Sequence, residues 1–257
     1  MRRLAPVLLV LLAACRSASP ARPPAEAPRA PAPATSPAAA PSPDLPKALR
    51  WVQRSAEHRA SFLQTYRLAT AHVERAANGR FSGTWAIVAD ADETVVSNLQ
   101  QEVERFREAG AEAAFDPQRW KEWVQRREAV ALPGAAGFLR RVRELGGRIA
   151  IVTNRTAAEC EDTRANLDAL GLPYDAVLCR PQGQPSDKNP RFAAVRSGAA
   201  FGSGPVEVIA FLGDNIRDFP AGDQEWRKRG DEAFAEFGVR YFVFPNPLYG
   251  SFESNPD

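Results

Sequence analysis

Histidine is scarce in this chain of 257 residues: only His58 and His72 occur, both far in sequence from every motif discussed below. That scarcity disfavours phosphohistidine chemistry and Ser-His-Asp hydrolysis. The two histidines sit fourteen residues apart in a helical pattern running from about Pro46 to Asn78, and so read as helix residues near one face. Cysteine is equally rare, and Cys15, Cys160 and Cys179 have no zinc-site spacing. Charge of one sign is lacking too. The chain has 33 Lys and Arg against 31 Asp and Glu, and loss of Arg2 and Arg3 with a leader leaves 31 against 31. A near-neutral chain gives no electrostatic case for nucleic-acid binding. The apolar run at residues 8–12 is too short to span a bilayer permanently.

That run instead has the form of an export signal. Arg2 and Arg3 precede it, and Leu12-Ala13-Ala14-Cys15 resembles a bacterial lipobox, which implies a signal peptide over residues 1–14 and lipid modification of Cys15. Arg16 stands where aspartate marks inner-membrane retention, so the expected location in a Gram-negative cell is the cell envelope, anchored to the outer membrane. Residues 15–44 are dominated by Pro, Ala and Ser without apolar periodicity, as in an extended tether, with a proline-rich docking segment as the weaker alternative. Beyond it lie about 210 residues, enough for one α/β core with a small cap. In an exported chain, Cys160 and Cys179 either pair or remain separate thiols.

Four segments carry chemistry. Ala86-Ile87-Val88-Ala89-Asp90-Ala91-Asp92-Glu93-Thr94 is an apolar strand pattern that ends in two carboxylates one residue apart. A turn over the carboxyl edge of the strand brings Asp90 and Asp92 into one pocket, one as nucleophile and one as proton shuttle, with a divalent cation beside them. Alone, the motif is also compatible with a polar turn in which Asp92 or Thr94 caps a helix. Ile149-Ala150-Ile151-Val152-Thr153-Asn154-Arg155 ends a second strand in a hydroxyl suited to phosphate oxygens. Lys188, ahead of a predicted helix, is a compact cation for aspartate and phosphate, with Arg191 its nearest rival. Val208-Ile209-Ala210-Phe211-Leu212-Gly213-Asp214 places Asp214 at a third strand end. Asp218, four residues on, is positioned to orient Lys188.

In order, these motifs resemble the haloacid-dehalogenase superfamily of phosphohydrolases. More narrowly, DADETVVSN, IVTNR, GDNIRDF and PNPLYGSFE resemble class C bacterial acid phosphatases, the surface-lipoprotein 5′-nucleotidase family, over about Trp51 to Glu253. Strand patterns near residues 85–90, 148–153, 176–179, 207–213 and 240–244 alternate with helical ones, which predicts an α/β fold with a doubly wound, mainly parallel sheet. The resemblance implies the Asp90 strand at its centre and a small helical cap inserted at about residues 95–135. It also implies Mg²⁺ on Asp90, the backbone carbonyl of Asp92 and Asp214, with Thr153, Asn154 and Lys188 holding phosphate. Tyr249 would stack on the ring of a nucleoside monophosphate or nicotinamide mononucleotide, although C-terminal packing is an equal alternative for it. The expected reaction is phosphomonoester hydrolysis through an aspartyl-phosphate at Asp90. The rivals are a metal-free dehalogenase, which has no need of Asp92 or of the Asp214 and Asp218 pair, and a non-catalytic surface-binding lipoprotein.

Overall fold

The computed structural model describes residues 44–110 and 114–256; the leader, Cys15 and all of the tether before Asp44 lie outside the described residues. In chain order, α1 (Lys47–Arg54) and α2 (Ala56–Ala76) lead into β1 (Trp85–Ala89). Then come β2 (Val96–Ser97), α3 (Leu99–Ala109), α4 (Pro117–Arg126), β3 (Val130–Ala131) and α5 (Ala135–Glu144). The remainder runs β4 (Arg148–Thr156), α6 (Cys160–Ala169), β5 (Ala176–Arg180), α7 (Asn189–Arg196), β6 (Glu207–Gly213) and β7 (Tyr241–Val243).

Five strands form one sheet in the order β5-β4-β1-β6-β7, with every neighbouring pair parallel. The fold is therefore the expected α/β type, and the strand that ends before Asp90 is central. All five residues of β1 are buried, as a strand covered on both faces requires. Alternate side chains divide between two cores. Ile87, Ile149, Ile151 and Leu212 pack with Phe62 and Tyr66 of α2 and Phe138 and Leu139 of α5. Ala86, Val88, Ala150, Val152 and Phe211 pack with Phe192 and Val195 of α7.

Several local expectations change. The single helix expected over residues 46–78 is two, because Ser55 turns extended (ψ 141°) and its hydroxyl accepts from the His58 N–H at 3.0 Å, capping α2. The second motif strand runs on to Thr156. β2 and β3 form an unexpected antiparallel ribbon that brings together the two ends of the segment carrying α3 and α4. Cys160 and Cys179 form a disulfide, tying the start of α6 to β5. Both histidines serve packing: His72 Nε2 lies 2.9 Å from the Ile209 carbonyl, and His58 contacts the rings of Trp51 and Phe62. Among the described residues, no helix is long and apolar enough to cross a membrane.

Candidate active site

The carboxyl edge of β1 and β6 gathers the first group of charges. The Asp90 N–H donates to the Leu212 carbonyl at 2.9 Å, which fixes the backbone where β1 ends beside β6. Lys188 is buried between two carboxylates, its Nζ 2.6 Å from Asp90 Oδ1 and 2.6 Å from Asp218 Oδ1. The other oxygen of Asp218 accepts from the Asn215 N–H at 2.9 Å, so both of its oxygens are engaged. Gly213 makes this approach possible, since a Cβ there would lie 2.2 Å from Asp218 Cβ. Asp214 accepts from Thr94 Oγ1 at 3.3 Å and from Asn246 Nδ2 at 2.9 Å.

Asp90, Asp214 and Asp218 each offer an oxygen within 4.8 Å of the others. Burial, reinforced by Asp218 and Asp92, pushes Asp90 up to about 7 against the pull of Lys188. Burial and the charges of Asp218 and Asp90 likewise raise Asp214 well above the usual carboxylate range. Burial opposes the charge on Lys188, but Asp218 and Asp90 outweigh it and hold the ammonium above its ordinary value. One ammonium against three clustered carboxylates leaves excess negative charge on oxygen donors, and this fits a hard divalent cation.

The fit has a measurable consequence. A carboxyl with a raised folded-state pKa contributes stability below its unfolded value, near 3.8 for Asp, and loses it as pH rises through about 7. The lowered acids, Asp92 among them, act below that window. Metal competes with these protons. The rise in Tm on adding a divalent cation to chelator-treated protein is therefore expected to be larger at pH 7.5 than at pH 5. An equal or inverted difference in thermal melts would overturn the assignment. Because the readout is the metal-induced shift, the half-buried His58, whose lowered pKa gives the opposite slope, cancels between the two arms.

A second group surrounds Asp92. Arg155 from the end of β4 donates to Asp92 Oδ1 from Nη2 at 2.7 Å and from Nε at 3.0 Å, and Asn98 Nδ2 donates to the same oxygen at 2.8 Å. Burial alone would raise Asp92, but the Arg155 guanidinium outweighs it and holds the carboxyl below the usual range. Thr153 is fully buried, with Oγ1 3.5 Å from Asp92 Oδ2 and accepting from the Arg155 N–H. Arg191 is committed elsewhere. It donates to the Thr153 carbonyl and, at 2.6 Å, to Asn154 Oδ1, so Lys188 alone of the two rivals pairs with Asp90.

Two cavities meet here. One of 280 Å³ is lined by Asp90, Asp92, Asn154, Lys188, Asp214 and Asp218, and also by Arg217 and Tyr249. The other, of 410 Å³, shares Asp92, Asn154, Tyr249 and Gly250 and extends to Trp120, Phe115, Glu102 and Glu253. Arg155 lies over Trp120, 5.5 Å from the ring centroid. The Tyr249 hydroxyl donates to the buried Glu93 carboxylate, which burial and Asp92 push up to about 7.

A charged pocket at strand ends, next to an aromatic one, suits a phosphate with an organic substituent. The family model for subfamily IIIB acid phosphatases of the HAD superfamily matches residues 29–252. The chain belongs to this family. It is a phosphomonoester hydrolase, and the dehalogenase and non-catalytic readings fall away. Among solved structures, the phosphatase is similar to the class C acid phosphatase from Bacillus anthracis. That match has 28% identity over 80% of this chain and 85% of the other, with a TM-score of 0.70. The same enzyme with tungstate bound matches at 28% identity over the same shares, with a TM-score of 0.71.

Of the residues singled out from sequence, Asp90, Asp92, Asn154, Lys188, Asp214, Asp218 and Tyr249 share these walls, whereas Thr153 sits behind them. Sequence reasoning gave no role to Arg155, Glu93, Asn98 or Asn246, although all four lie inside the quoted motifs. Their signal was present as charged and amide residues beside the acids, but nothing local indicated their partners.

Proposed function

We propose that this acid phosphatase is a Mg²⁺-dependent 5′-nucleotidase, anchored through Cys15 to the bacterial cell envelope. The observation that carries the reading is the junction of the two cavities at Asp92, with the acidic cluster on one side and Tyr249, Trp120 and Phe115 on the other. Those rings offer stacking to a nucleobase or pyridine ring. This favours nucleoside monophosphates or nicotinamide mononucleotide among phosphomonoesters.

In this mechanism a carboxylate oxygen of Asp90, whose raised affinity for a proton a bound cation would counter, attacks phosphorus in line. The bond to the leaving oxygen breaks, and Asp92 gives that oxygen its proton. Asp92 then takes a proton from water as the water attacks the aspartyl-phosphate. The bond to Asp90 breaks, phosphate leaves and both carboxyls return to their starting states. Arg155 favours the ionised form of Asp92, so the first proton is most available in acid, and the charge of a bound phosphoryl group raises the affinity of Asp92 for it. Lys188 and Asn154, with Thr153 behind them, orient the phosphoryl oxygens. Oxygens of Asp90 and Asp214, with the Asp92 carbonyl, would hold the cation, which supplies charge neutralisation at phosphorus. Asp218, with both oxygens engaged, serves to hold Lys188.

The test is phosphate release by the full chain from a nucleoside 5′-monophosphate panel, nicotinamide mononucleotide and an aryl phosphate, with Mg²⁺ or chelator. Higher kcat/KM on the nucleotides, lost with chelator, is the expected result; equal kcat/KM on all substrates would remove the nucleotidase reading. Lipid labelling in cells that persists in a Cys15→Ser variant would remove the anchor.

A further inference from the structure

Asn98 immediately precedes α3, where an asparagine side chain ordinarily accepts a hydrogen bond from the first turn of the helix. Here it makes no such cap, and Ser97 Oγ accepts from the Leu99 N–H at 3.2 Å. The Asn98 amide is instead fully buried and turned toward the active site. Its Oδ1 accepts from Trp123 Nε1 at 2.8 Å and from Arg155 Nη2 at 3.3 Å. Its Nδ2 donates to Asp92 Oδ1 and to Glu93 Oε2, both at 2.8 Å, and lies 3.3 Å from the Tyr249 hydroxyl. An indole N–H and a guanidinium can only donate, so Oδ1 must face Trp123 and Arg155, and the two amide hydrogens must face the carboxylates. Trp123, on α4 of the inserted segment, thereby sets the direction in which Asn98 donates.

We propose that Asn98 is a positioning residue for the reaction, holding the Asp92 carboxylate in register with the leaving-group oxygen, with Trp123 as its orienting partner. Asp92 Oδ1 accepts from both Arg155 and Asn98, whereas Oδ2 has longer contacts, 3.2 Å to Arg155 Nε and 3.5 Å to Thr153 Oγ1. Oδ2 is thus the oxygen that exchanges the proton. Without Asn98, one of the two directions that pin Oδ1 is gone, and the carboxylate turns about the remaining Arg155 contact. The inference rests on the reading of Asp92 as the acid.

A leaving-group comparison separates positioning from mere structural support. Benzyl phosphate and p-nitrophenyl phosphate carry similar rings on leaving oxygens of very different basicity, and the more basic alkoxide depends far more on its proton. kcat/KM reports the first phosphoryl transfer, so it is compared for the parent protein and for Asn98→Ala, Trp123→Phe and Asp92→Asn, each with its melting temperature. Asn98→Ala is expected to lower kcat/KM on the order of 10²-fold for benzyl phosphate and less than about tenfold for p-nitrophenyl phosphate. Trp123→Phe is expected to show the same bias at smaller size. Equal losses on both substrates in these two variants, with the bias present in Asp92→Asn, would overturn the positioning role alone. Absence of the bias in Asp92→Asn itself would overturn the acid reading and the proposal with it. Should Asn98→Ala fail to fold, the Trp123→Phe comparison decides between the same outcomes.

Discussion

Asp90→Asn is expected to lower phosphate release by a factor on the order of 10⁴ or more, while the protein melts at the same temperature or higher. The activity loss follows from the nucleophilic role proposed for Asp90, because an amide is no nucleophile toward phosphorus and the proposed mechanism gives the other wall groups only binding and proton transfer. The stability gain follows from charge. Asp90 is nine-tenths buried and shares its cluster with Asp214 and Asp218, and Lys188 offsets only part of that charge. An uncharged amide of the same shape relieves the repulsion, as is common where activity needs a strained electrostatic arrangement. Single-turnover phosphate release and a thermal melt on the same preparation check both halves. Residual turnover within about 100-fold of the parent would exclude Asp90 as the nucleophile.

Lys188→Met has the second large effect, and it acts on the fold as well as the reaction. The methionine nearly matches the volume but leaves the oxygens of Asp90 and Asp218, formerly 2.6 Å from the ammonium, without their cation. Removing one partner of a buried ion pair costs about 3–5 kcal/mol. At about 2–4 °C per kcal/mol for a domain of this size, the melting temperature should fall by roughly 6–20 °C. In the proposed mechanism turnover should fall by about 10²–10³-fold, the usual loss when a group that stabilises charge at the reacting centre is removed. The two sites are in contact, so adding Asp90→Asn should recover part of the stability but none of the activity. An unchanged melting temperature would mean that the pair contributes nothing to the fold. Lys188→Arg is not a neutral control, because a planar fork cannot take the place of a compact ammonium between two carboxylates.

Legibility divides by the range of the interactions. The apolar runs before Asp90, Thr153 and Asp214 are local patterns, and a run that must be buried on both faces can become little other than an inner strand of a parallel sheet. Their order and motifs therefore place the site at the carboxyl edge of the sheet. The break at Ser55 was less legible, because a helical pattern continues across it and only the cap geometry divides α1 from α2.

By itself, then, the sequence determined the strand-end acids and the α/β architecture, since each depends on residues adjacent in the chain, while the reaction class came from the resemblance of its ordered motifs to a known family. Tertiary structure alone decided the pairings that no motif anticipated. Arg155 meets Asp92 across 63 positions and Tyr249 meets Glu93 across 156, whereas Lys188 takes the expected place beside Asp90 and Asp218. It also decided that Cys160 and Cys179 bond, and that the Asn98 amide turns away from its helix toward Asp92. The physical reason is that a long-range ion pair or amide contact is chosen by competition among all donors and acceptors that the fold buries together, and no local pattern records which of them wins.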